Sequence, residues 1–284
     1  MRYAYNGSLA NYITNDFKYL KWKDKIKMLH NIVLGLNIIH QEGLIHHDFH
    51  SGNILHFNDL PQKVLIGDLG LSNSTNQEIS EIIGVLPYIA PEVLNGKPYT
   101  QKSDIYSFGI LMSEISTGQQ PFNDKEHDID LAFKICEGLR PGFSNNTPDF
   151  YIKLSYKCMD ANPDNRPTDE EILKIITFWK DAIDFKDETL ESNKKSESNK
   201  ERLDELRIMR NVFNEMDNKE YHTSINTAII HPGAVYTSRL LKFTDLPQPL
   251  NSNKVTIIDN HNGNYLILLL YINFVLIKFI SFLS

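Results

Sequence analysis

Apolar residues recur at helical spacing through much of the first 180 positions. Ile26, Leu29, Val33, Leu36 and His40 fall at i, i+3, i+4 intervals, which predicts a helix that Gly43 stops. The next stretch, LIHHDFHSGNIL from Leu44 to Leu55, is two short apolar runs around a polar loop. KVLIGD at Lys63–Asp68 reads as a short strand. DIYSFGILMSEIS, from Asp104 to Ser116, is apolar nearly all round, the pattern of a helix buried on most sides. Gly118 and Pro121 end it. Thr168 with Glu171 forms a capping-box pattern ahead of EILKIITFW and marks a further helix start. The expected fold is mainly α, a helical bundle with one small β-hairpin region that carries polar loops.

The pattern changes beyond Lys180 and divides the chain into three zones: 1–180, 181–264 and 265–284. The middle zone is polar and irregular, and ESNKKSESNK at Glu191–Lys200 reads as a linker. Leu203, Leu206, Met209, Phe213 and Met216 follow at helical spacing, so a short amphipathic helix is expected there, packing on the main domain rather than forming a partner-binding seam. The last zone, YLILLLYINFVLIKFISFLS, is long enough to span a bilayer, though Asn273 and Lys278 interrupt it. A membrane anchor is the less favoured reading of this zone; a buried helix or read-through into non-coding sequence competes with it. The N-terminus lacks a basic region followed by an apolar core, so it is not a signal peptide.

Charge and cysteine content narrow the function classes. The formal net charge is −7, against the surplus of Lys and Arg that phosphate-backbone binding needs, so no nucleic-acid partner is expected. The cysteines, Cys136 and Cys158, have no metal-ligand spacing and form no disulfide framework, which fits a reducing, cytoplasmic location. Both are read as small buried hydrophobes.

The chemistry concentrates in His-His-Asp-Phe-His-Ser-Gly-Asn at positions 46–53. Asp48 and Asn53 lie on one tight loop and can converge on a single site, with Gly52 permitting a sharp backbone path. Asp68 follows a second short strand, in Asp68–Leu69–Gly70. Two carboxylates and an amide oxygen suit Mg²⁺, which takes one or two carboxylates plus phosphate oxygens. A carboxylate left off the metal can orient a hydroxyl nucleophile.

This segment resembles the protein-kinase catalytic loop, H-R-D-L-x-x-x-x-N. The resemblance runs in order through Asp68, Ala90-Pro91-Glu92, SDIYSFG and NPDNRPT, and covers the hinge and C-terminal lobe over residues 1–180. GVLPYIAPEVL and SDIYSFGILMSEISTGQQPF are nearest the tyrosine-kinase-like branch of Ser/Thr kinases. It implies that Asp48 orients the substrate hydroxyl, that Asn53 and Asp68 hold Mg²⁺ against ATP phosphates, and that Leu55 contributes to cofactor binding. His46 is implied as a structural residue of the loop. Glu92 would pair with buried Arg166, and Asp104 would hold the loop backbone. The implied partners are ATP and a protein substrate, with Ser/Thr preferred over Tyr.

Several positions depart from the family pattern. Leu69 stands where Phe is usual. His47 replaces the arginine that holds a phosphorylated activation loop, and a histidine is a weaker, pH-dependent partner. His50 stands where many Ser/Thr kinases have lysine, so it either supplies a partial charge toward the transferring phosphate or packs in the loop. A Gly-rich loop, a strand Lys and its helix Glu have no place ahead of the loop's helix; residues 2–9 resemble the hinge. Little phosphotransfer is therefore expected from this chain alone. The competing expectation is a kinase-like lobe that serves as a protein-interaction module, and specificity is expected around Gly84–Tyr88.

Overall fold

The computed structural model describes residues 7–57, 64–71, 73–74, 82–186, 197–218 and 230–251. The elements run α1 (Leu9–Asp16), α2 (Trp22–Gln41), β1 (Leu44–Ile45), β2 (Ile54–His56), β3 (Val64–Ile66), β4 (Asn73–Ser74) and β5 (Ile82–Gly84). They continue through α3 (Pro91–Leu94), α4 (Gln101–Thr117), α5 (Ile129–Cys136), α6 (Asp149–Cys158), α7 (Asp169–Asp184), α8 (Glu197–Asn218) and β6 (Arg239–Leu241). The architecture is mainly helical with small antiparallel ribbons, as the periodicity implied.

Helix α4 is the centre of the bundle. Every residue from Ser103 to Ser116 is buried, which only a helix that is apolar nearly all round tolerates. Thr100 and Ser103 form a reciprocal capping box at its start, and Gly118 ends it in the left-handed conformation at φ 74°. Helix α2 buries Trp22, Ile26, Leu29, Val33 and Leu36. Helix α7 buries Ile172, Ile176 and Trp179, and starts at the Thr168–Glu171 capping box.

The amphipathic stretch after Lys200 forms a longer helix than expected. In α8, Leu206, Met209, Phe213 and Met216 are buried. Phe213 meets Phe150 edge-on at 5.7 Å, and Asp217 accepts a hydrogen bond from Trp22 N at 2.6 Å. Residues 230–251, which looked irregular in sequence, also lie against the lobe. Tyr236 Oη donates to Pro121 O, Asn95 Nδ2 to Pro247 O, and Ala161 N to Asn251 Oδ1. These two segments are therefore layers of the compact unit rather than spacer, because their apolar and polar groups find partners on it. The expected linker at Glu191–Lys200 falls mostly outside the described residues. The apolar zone 265–284 and the hinge residues 2–6 lie wholly outside them. Among the described residues no helix is long and apolar enough to cross a membrane.

The ribbons carry the polar loops. Strand β2 pairs antiparallel with β3 in the register Ile54↔Ile66, and β1 pairs with β4 through Leu44↔Ser74. Strand β5 pairs antiparallel with β6 in the register Ile82↔Leu241, Ile83↔Leu240 and Gly84↔Arg239.

Candidate functional site

The polar loop between β1 and β2 is built around one carboxylate that does not belong to it. Asp104, near the start of buried α4, accepts His46 N at 2.8 Å and His47 N at 3.2 Å. It also faces His40 Nε2 at 3.0 Å. These contacts satisfy two loop amides that burial would otherwise strand, at a cost of roughly 1–3 kcal/mol each. His40 sits between Asp104 and Asp169, which is 3.3 Å from Nδ1. Burial opposes its charge, but the two carboxylates outweigh it and raise its pKa to about 9. The cluster joins α2, α4 and the start of α7 to the loop.

Within the loop the side chains converge on Asp48. Asn53 Nδ2 donates to Asp48 O at 2.9 Å and to Asp48 Oδ2 at 3.1 Å. His50 Nε2 lies 3.5 Å from the same oxygen. Burial works to raise the Asp48 pKa, yet His50, Ser238 and Asn53 together hold it below the ordinary carboxylate value. Asp48 is therefore an ionised, buried carboxylate with a fixed direction.

Gly52 serves the loop by its lack of a side chain rather than by an unusual φ. A Cβ there would fall 2.6 Å from His50 Cε1. Its N–H donates to His50 Nδ1 at 3.1 Å, which leaves the His50 proton on Nε2, toward Asp48. His46 is fully buried, and its Nε2 faces Gly67 O at 3.1 Å. Gly67 N in turn donates to Asn53 O at 2.8 Å, tying the residue before Asp68 to the loop. Asp68 is exposed at φ 54° and its Oδ1 accepts Gly70 N at 3.4 Å. Leu55 lies partly exposed in β2, and a Cβ on Gly67 would come 3.3 Å from its Cδ1.

His47 is not the weak cation that its position in the sequence motif suggested. Its ring stacks on Tyr99 at 4.9 Å, and its backbone is left-handed at φ 70°. Burial lowers its pKa and keeps it neutral. Ser74 is placed in β4, and Ser72, Thr75 and Ser80 lie outside the described residues.

Glu92 and Arg166 meet in the core. Arg166 Nη1 and Nη2 donate to the two Glu92 oxygens at 2.7 and 2.6 Å. This bidentate pair ties α3 to the turn that precedes α7.

Sequence reasoning missed several residues at the site. Ser238 Oγ donates to Asp48 Oδ2 at 2.5 Å. Ser51 Oγ and Tyr88 Oη donate to the buried Glu114 at 2.8 and 2.7 Å. Burial raises the Glu114 pKa to about 7, partly offset by those two donors. Gly84 lies beside Asp48, and a Cβ there would fall 3.2 Å from Ile89 Cδ1 and 3.5 Å from Asp48 Oδ1. The Ser51 and Glu114 roles had no local signal. For Ser238 the only sequence sign was a hydroxyl pair beside apolar residues in VYTSRLL.

The arrangement provides an ionised carboxylate that holds a hydroxyl, next to an amide and a second carboxylate linked through one backbone hydrogen bond. A sequence model described as protein tyrosine and serine/threonine kinase matches residues 1–176. A probable serine/threonine-protein kinase of Dictyostelium discoideum is 33% identical over 175 residues, covering 61% of this chain and 10% of that protein. A putative serine/threonine-protein kinase/receptor of Acanthamoeba polyphaga mimivirus is 35% identical over 171 residues, covering 59% of this chain and 10% of that protein. The dual specificity protein kinase splA of Dictyostelium discoideum is 30% identical over 193 residues, covering 62% of this chain and 8% of that protein. The chain thus spans about a tenth of the length of these relatives.

Proposed function

The chain belongs to the protein tyrosine and serine/threonine kinase family, and from that membership we propose that its site orients a serine or threonine hydroxyl of a protein for phosphoryl transfer from ATP. The observation that carries the reading is the fixed, ionised Asp48, whose carboxylate is aimed by Asn53 and held on a loop gripped by Asp104. A carboxylate so placed accepts a hydroxyl hydrogen bond and lines up the oxygen lone pair for attack.

The residues fit Mg²⁺. Asn53 commits its amide nitrogen to Asp48, so its oxygen is the atom left for a cation, and Asp68 offers an exposed carboxylate. Both are hard oxygen donors, and phosphate oxygens complete such a shell. Among the described residues no group of three His, Cys, Asp or Glu side chains forms a metal site. ATP bound with Mg²⁺ would supply the phosphoryl group. His50 stands against Asp48 with its Nε2 proton, where it supports the carboxylate and faces the acceptor side. Leu55 lines the nucleotide side in this reading.

Serine or threonine as acceptor is supported by the names of the relatives, and the dual specificity relative keeps tyrosine as the alternative. A cytoplasmic location accompanies the reading. Cys136 and Cys158 are free and buried, with pKa values raised by burial to about 11 and 12, as inert thiols would be.

The chain alone is expected to transfer little phosphate. The test joins it to the residues that precede the matched region in the Dictyostelium serine/threonine-protein kinase. Myelin basic protein is the acceptor. Phosphoserine or phosphothreonine should form, and Asp48→Asn should lower the rate by about 10²–10⁴-fold. No transfer, or transfer indifferent to Asp48, would refute the reading.

A further inference from the structure

Residues 230–251 follow a path that passes directly over Asp48. His231 N donates to Asn123 O at 2.8 Å, and His127 N donates to Gly233 O at 2.9 Å. Val235 N donates to His127 Nδ1 at 3.1 Å when the ring proton is on Nε2, which then donates to Phe122 O at 3.2 Å. The Tyr236 ring stands edge-on to His127 at 4.8 Å. Ser238 then delivers its hydroxyl to Asp48, and β6 begins at the next residue.

Strand addition fixes the register of this contact. Pairing of Arg239 with Gly84 sets Ser238 beside the end of β5, and Gly84 itself lies beside Asp48, a Cβ there falling 3.5 Å from Asp48 Oδ1. Arg239 Nη2 donates to His127 O at 2.5 Å, and Leu241 is buried. The backbone supplies ladder bonds, alternate side chains enter the surface, and one hydroxyl meets the carboxylate. That is how an extended peptide adds to a sheet edge, with affinity from the main chain and selectivity from side-chain positions.

We propose that residues 235–241 occupy the acceptor groove of the site as a bound substrate segment would, with Ser238 in the place of the acceptor hydroxyl. This deepens the reading of Asp48 as the acceptor-orienting carboxylate and rests on it. It also names the substrate class. The groove takes an extended segment in which a serine or threonine is followed by a basic residue and then two apolar ones, with an aromatic hydroxyl two residues ahead of it. External acceptors compete with the chain's own segment for Ile82–Gly84.

Amide hydrogen exchange on the 284-residue chain tests this without nucleotide, so its outcome is separate from that of the phosphotransfer assay. In the unaltered chain Ile82–Gly84 and Arg239–Leu241 should be protected together. Ser238→Asp sets a second carboxylate against Asp48, and exchange at both strands should rise by about a hundredfold. Ser238→Thr keeps the hydroxyl and should stay within about threefold of the original. Asp48→Asn combined with Ser238→Asp removes the repulsion and should restore protection. Helix α4 amides report whether each variant is folded. Exchange at the two strands that ignores the residue at 238, or that does not recover in the double variant, would overturn the proposal. If phosphotransfer fails while this pattern holds, the groove is a peptide-binding surface whose occupant is already in the chain.

Discussion

Replacing Arg166 with methionine removes the cation from a pair that has almost no contact with water. The Arg166 side chain is 0% exposed and that of Glu92 is 5% exposed. The guanidinium also donates to Lys102 O and Asp160 O, each at 2.8 Å, and lies over the Tyr106 ring at 5.2 Å. The variant leaves a buried carboxylate with no counter-charge, which costs about 3–5 kcal/mol. Glu92→Leu leaves the guanidinium with only carbonyl partners and should cost about as much. With both replaced, no charge remains buried, and the residual loss is the two carbonyl hydrogen bonds, about 2 kcal/mol in total. The double variant should therefore be more stable than either single. Urea unfolding followed by tryptophan fluorescence reads this directly. At a slope of about 2 kcal/mol per molar, each single variant should lower the midpoint by about 2 M and the double by about 1 M. Additive losses, with the double below both singles, would refute the view that stranded charge dominates.

The remaining expectations concern titration and packing. His40 has its pKa raised to about 9 against an ordinary 6.5, so its folded form binds the extra proton. That stabilisation is complete below pH 6.5 and is lost as pH rises through 9, about 3 kcal/mol in all, and His40→Gln should flatten this part of a stability–pH curve. Glu114, raised from 4.5 to about 7, also holds its proton more tightly when folded. Stability should fall by up to about 3 kcal/mol as pH rises from 4.5 to 7, and Glu114→Gln should remove that slope in thermal unfolding. Phe213→Ala opens a cavity beneath α8 beside Phe150, and should cost about 3–5 kcal/mol in urea unfolding, with faster amide exchange along α8.

Much of the fold could be read from the sequence because its signals are local. The face of α2, the Thr168–Glu171 cap and the all-round apolar run of α4 each depend on residues within a turn or two of one another. The loop residues were legible for the same reason, since Asp48, His50 and Asn53 sit together in the chain. What could not be read depends on partners far away. Strand β6 is only Arg239–Leu241 and has no alternation of its own; it becomes a strand because β5 offers an edge. His47 lies against Tyr99 in a stack that no spacing rule announces, and it is burial that lowers its pKa. Residues 230–251 looked irregular because their partners are scattered far back in the chain: the Asn95 amide, the carbonyls of Pro121, Asn123 and Cys136, and the His127 ring.

The Ser238–Asp48 contact joins residues separated by 190 positions, and this distance has a meaning in time. At ribosomal rates of about 5–20 residues per second, Ser238 is made roughly 10–40 s after Asp48. Helices α2 and α4, which hold the loop before Asp48 through His40 and Asp104, are both synthesised well before then. Each newly made molecule thus passes through a stage in which Asp48 and the edge at Ile82–Gly84 have been synthesised and the strand that pairs with that edge has not.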